Sequence, residues 1–152
     1  MIEQILSFLT GGAGAAVASR HDRLEIAVAA LLVEAARMDD HFDAAERATI
    51  RRLLAERFEL EPEATQRLLE AAERAVDQST QLFRFTHLVV EELAPEERVR
   101  ILEMLWEVAY ADGSLSPEED QLLRRIAGLI YVSDRERGEA RLRVLRRLGH
   151  RD

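Results

Sequence analysis

Apolar residues recur every three or four positions from Asp22 almost to the end of this chain. No stretch alternates apolar and polar residues long enough for a strand, and β-branched residues are scattered. Stop signals cut the pattern into seven predicted helices, at about 22–38, 44–58, 62–76, 80–93, 95–111, 117–130 and 134–148. Asp39-Asp40-His41 ends the first. Pro95, with Glu96 and Glu97 behind it, opens the fifth, because proline at the first helical position gives up no needed donor and acids suit a helix start. Asp112-Gly113 ends that helix. Upstream, Ile2, Ile5, Leu6 and Leu9 share one face of a short helix, followed by the hinge-like Gly11-Gly12-Ala13-Gly14-Ala15-Ala16. That short helix is expected to pack on the domain, the alternative being a weak rest on a membrane or partner. The chain thus divides into a helix and hinge over 1–20 and one all-α bundle over 21–152.

The bundle contains a self-match at an offset of 73 residues. Asp39 aligns with Asp112, Glu46 with Glu119, Glu34 with Glu107, Ala36 with Ala109, and Arg51-Arg52 with Arg124-Arg125. The apolar face agrees: Ile26, Ala29, Leu32 and Val33 match Val99, Leu102, Leu105 and Trp106, and Ile50, Leu53 and Phe58 match Leu123, Ile126 and Tyr131. Each half is therefore a long helix, an acidic loop and a second helix. Neither hairpin can bury its apolar face alone, and packing them about a pseudo-twofold solves that problem.

Composition narrows the chemistry. A chain of 152 residues with 47% apolar content builds a core without staples. Cysteine is absent, which removes disulfides, thiolate metal sites and thiol redox chemistry. All 21 basic residues are arginine, which excludes a lysine Schiff base and the lysine of a phosphate loop. The net charge of −8 makes nucleic acid an unexpected partner. From Arg135 to Asp152, however, seven arginines face Glu136, Glu139 and Asp152. This basic helix either docks on the acidic body, meets an anionic partner or is solvated, and interleaved Glu and Arg favour solvation. No run reaches the ~18 apolar residues of a membrane span, and Glu3 stands where a secretory signal carries positive charge, so a cytoplasmic location is expected.

The two loops, 39–46 and 112–119, admit two explanations. Ser116, Pro117 and Glu119 read as cap, first helical residue and capping box, and Asp43 with Glu46 repeats the arrangement. Phe42 and Leu115 are expected to anchor the loops. Capping leaves Asp39 and Asp112 unexplained, since each lies at a helix C-terminus, where the dipole disfavours a carboxylate. Either a turn of its own backbone or a cation compensates. Carboxylate and hydroxyl oxygens without thiolate suit Ca²⁺, Mg²⁺ or Mn²⁺. An EF-hand is rejected, because Val108 and Tyr110 hold the places of its first two acidic ligands. His21, His41, His87 and His150 show no zinc spacing, and Trp106, Phe83 and Phe85 are expected in the core. No nucleophile elbow or glycine-rich phosphate loop is present.

The segment Ala111-Asp112-Gly113-Ser114-Leu115-Ser116-Pro117-Glu118-Glu119 follows the form Ala-Asp-Gly-x-Leu-Ser-x-x-Glu, and 38–46 keeps Asp39, Phe42 and Glu46. With the all-helical pattern, this resembles the tellurite-resistance TerB family over about 24–148, in its free-standing type. The resemblance implies a non-catalytic helical module linked to tellurite-type stress at the cytoplasmic face of the membrane, binding a divalent cation. Carried over by position, Asp39, Glu46, Asp112 and Glu119 would be ligands, supported by Asp43, Ser116 and Glu118. Asp40 and His41 depart from the pattern, and a chain without thiols has no means of reducing tellurium. Two roles are expected to compete. One is a cation-binding module docking to other stress-response proteins. The other is a pure scaffold whose loops are structural and whose Arg143, Arg146 and Arg147 form the docking face. Self-association is compatible with either, and the carboxylate cluster is the sole basis for an enzyme.

Overall fold

A computed structural model describes residues 20–39, 42–78, 81–111, 113 and 115–149. The expected N-terminal helix and hinge lie outside them. The described residues form seven α-helices: α1 Arg20–Ala36, α2 Ala44–Phe58, α3 Pro62–Gln78, α4 Phe83–Glu92, α5 Pro95–Ala109, α6 Pro117–Leu129 and α7 Asp134–Arg147. A 3-10 turn, Arg37–Asp39, continues α1. The seven helices predicted from residue 22 onward are present, and among the described residues none is long and apolar enough to cross a membrane.

Helix α1 is the axis of the bundle. From Ile26 to Val33 every side chain is buried, because α3 and α4 cover its outer faces while α2, α5 and α6 close the rest. A helix apolar all round is stable in water only when it is so enclosed. The packing obeys the expected twofold. α1–α3 corresponds to α5–α7, α1–α2 to α5–α6, and α2–α5 to α6–α1, with α1 and α5 meeting in the middle. Each half is therefore a unit of three helices rather than two, and α4 is the element without a counterpart. Arg98 fixes the corner between α4 and α5, its Nε donating to Leu93 O at 3.0 Å and its Nη2 to Val90 O at 3.4 Å.

The third helices escape a search at one fixed offset because the register slips. α2 and α6 both end in a left-handed residue, Glu59 (φ 54°) and Tyr131 (φ 60°), whose following amides reach back to Ala55 O and Ala127 O at 3.1 and 2.9 Å. These turns are 72 residues apart, not 73. The expected match of Phe58 with Tyr131 is thereby corrected: Phe58 packs on the core, whereas Tyr131 is 75% exposed and Val132 turns inward after it. Phe83 is a second correction. Trp106 and Phe85 are buried as expected, but Phe83 is 60% exposed and stacks on His87 at 5.3 Å.

Candidate functional site

Both acidic loops end in the predicted capping boxes. Asp43 Oδ1 accepts from Glu46 N at 2.9 Å, and Glu46 Oε1 accepts from Asp43 N at 3.3 Å. Ser116 Oγ accepts from Glu119 N at 3.1 Å, and Glu119 Oε1 accepts from Ser116 N at 3.0 Å. A third box, Ser133 with Glu136, opens α7 in the same way. The Ser-x-x-Glu spacing there carries the same signal. The three differ in one respect. Glu136 is exposed, whereas Glu46 and Glu119 are 2% and 1% exposed.

The loop anchors behave as expected, with Phe42 and Leu115 packed against the core. Arg47 lies over the Phe42 ring at 4.3 Å. Gly113 adopts φ 93°, a conformation that glycine alone holds without strain, which accounts for glycine after Asp112. Each loop abuts the helix that follows the other. The Arg37–Asp39 turn packs on α6, while Thr49 and Arg52 of α2 share a cleft with Tyr110, Ala111 and Gly113.

The sequence-predicted residues distribute unevenly. Asp43 is an exposed cap, Ser116 is half-buried and Glu118 is exposed in the first turn of α6. Asp39 closes the 3-10 turn, but its side chain lies outside the description, as do Asp112, Asp40 and His41. Among the described residues no group of three His, Asp or Glu side chains is placed to hold a metal ion.

The basic C-terminal helix docks on the body while its arginines stay partly in solvent. Arg143 and Arg147 reach Glu103 at 3.1 and 2.6 Å, and Arg147 also reaches Glu107 at 3.1 Å. Arg146 is exposed. Glu107 further accepts from Arg52 Nη2 at 2.7 Å, across the two halves. This explains why Glu34/Glu107 and Arg52/Arg125 repeat together. Arg52 of the first half meets Glu107 of the second, and the charge of Arg125 acts on Glu34 in return.

The two pairs are not equal. Burial pushes the Glu34 carboxyl above its ordinary range, and Arg37 and Arg125 draw it back only in part. A raised folded-state pKa favours the protonated form, so this contribution to stability is complete below the unfolded pKa and is lost as pH rises through the folded one. Glu34→Gln is therefore expected to melt higher than the parent at pH 7, with the advantage shrinking as pH falls to about 4. Melting curves across that range check it. A variant less stable at pH 7, or an advantage that grows in acid, contradicts the burial cost.

In comparison with known proteins, the family model described as Tellurite resistance protein TerB matches residues 25–142. No curated protein and no solved structure matches the chain.

Proposed function

This chain belongs to the tellurite-resistance TerB family, and from that premise we propose that it is a non-catalytic helical module that takes up Ca²⁺, Mg²⁺ or Mn²⁺ through its two acidic loops. It would then act in chemical stress by docking to protein partners, including partners at the cytoplasmic face of the membrane. The observation that carries this reading is the burial of Glu46 and Glu119. Capping alone does not demand it, since Glu136 makes the same box in solvent. Removing a carboxylate from water costs several kcal/mol, on the order of the whole gain from a good cap or more. A cation gathered by Asp39, Glu46, Asp112 and Glu119 would add to the contacts these two buried carboxylates already make. Family membership and the twofold repetition of the loops support the same ligand set.

The test is calorimetric titration of EDTA-stripped protein with each ion, together with melting curves. Saturable heat is expected, with a stabilisation of about 2.7 kcal/mol at a hundredfold excess over Kd. Asp39→Asn and Asp112→Asn should each weaken binding. Absence of heat and of any melting shift in millimolar ion defeats the proposal. A scaffold docking through Arg143, Arg146 and Arg147 has less support, because two of these arginines already bind Glu103 and Glu107.

A further inference from the structure

Beside the second loop, α6 and α7 leave a cleft lined by Trp106, Leu115, Arg124, Arg137, Gly138 and Arg141, among others. Three features distinguish it from an accidental gap. The Trp106 indole N–H has no hydrogen-bond partner, although the side chain is 1% exposed. A buried donor left unmet is costly and uncommon in folded proteins. Arg141 donates through Nε to Tyr110 Oη at 2.8 Å and lies 5.9 Å from the Trp106 ring, yet it forms no ion pair among the described residues. By contrast, Arg124 is held by Asp120 at 3.0 Å and Arg137 by Asp134 at 2.7 Å. Finally, Gly138 lies inside α7, where glycine weakens a helix, although an added Cβ would meet nothing within 4 Å. Packing does not require this glycine, which lines the cleft.

The first half serves as an internal reference. At the offset of 72 set by the left-handed turns, Arg137 and Arg141 replace Thr65 and Leu69, both buried. There Arg47 spans from α2 to Glu73 of α3 through two bonds of 2.8 Å. In the second half Asp120 takes the place of Arg47 and pairs within its own helix. So the helix pair is bridged by Arg47 and Glu73 in one half, where acids line its cleft, whereas in the other the cleft is lined by three arginines together with Ser116 and Asp120.

We propose that this cleft binds a phosphate group, free or carried on a larger molecule. The partnerless indole N–H of Trp106 and the guanidinium of Arg141, which forms no ion pair among the described residues, are donors only, so the complementary ligand is an acceptor-rich anion. Arg141 supplies a positive charge without an ion pair among the described residues, and Trp106 and Leu115 offer apolar surface to the remainder of the ligand. This site does not depend on the cation reading and is tested in EDTA.

Trp106 is the chain's single tryptophan, so its fluorescence and its indole ¹⁵N–H resonance report on the cleft alone. Inorganic phosphate, phenyl phosphate, benzoate and vesicles with or without phosphatidic acid are the probes. Saturable changes with inorganic or phenyl phosphate are expected, weakened at least about tenfold in Arg141→Leu, which introduces the residue type of the first half. Response to phosphatidic-acid vesicles alone assigns the same phosphate chemistry to a lipid headgroup. A stronger response to benzoate than to either phosphate overturns the choice of phosphate. Should Arg141→Leu not fold, the parent protein decides: an indole resonance unmoved by tens of millimolar phosphate, or moved equally by chloride, overturns the site.

Discussion

Replacing Ala30 with glutamate is expected to abolish the folded state, or to bring it close to unfolding at room temperature. Ala30 is fully buried on α1, in the helix that α3 and α4 enclose. A carboxylate there loses its water without a partner, at a cost of several kcal/mol against a total stability of about 5–15 kcal/mol. Its counterpart 73 residues on is Glu103, a glutamate that the protein carries without difficulty. The difference lies in the covering: α4 has no equivalent over α5, and Glu103 instead meets Arg143 and Arg147. The reverse change, Glu103→Ala, should therefore cost only about 1–2 kcal/mol for the lost charged hydrogen bonds. Urea denaturation followed by circular dichroism measures both. If Ala30→Glu kept the parent's midpoint, the enclosure of α1 described above would be wrong.

Leu32→Ala and Leu105→Ala should each lower stability by about 2–5 kcal/mol, the usual cost of emptying a fully buried leucine site. Both side chains are fully buried, one on each central helix, and they occupy equivalent places in the two halves. A domain of this size loses roughly 2–4 °C of melting temperature per kcal/mol, so a fall of many degrees is expected for each. Leu148→Ala provides the contrast, because Leu148 is among the exposed large apolar residues and its loss should matter little. A loss below about 1 kcal/mol at either buried leucine would remove it from the shared core. The double variant should depart from additivity if the two leucines share a cavity where α1 meets α5.

The helices, their order and the twofold repeat were legible in the sequence because each is written in local signals. Period and punctuation locate α1 to α7 within a few residues, and the boxes of Asp43 with Glu46 and Ser116 with Glu119 can be read from spacing alone. The third helix of each half was not legible as part of the repeat. A one-residue slip at Glu59 and Tyr131 breaks the register, and exposure of Tyr131 depends on a left-handed turn that composition does not announce.

Of the candidate loop site, the sequence determined which acids cap helices, since a cap is a contact between residues three apart. The burial of Glu46 and Glu119, against the exposure of Glu136, was decided by what packs over each loop. Partner choice among charges was tertiary as well. Arg143, Arg146 and Arg147 are equivalent as a basic run, but only the first and last reach Glu103, 40 and 44 residues away along the chain. The same applies to Trp106 and Arg141, which belong to different helices and share a cleft only once α7 lies against α5 and α6. Local pattern fixes a helix because its bonds close within four residues, whereas burial and charge pairing follow from distances that exist only after the chain has folded.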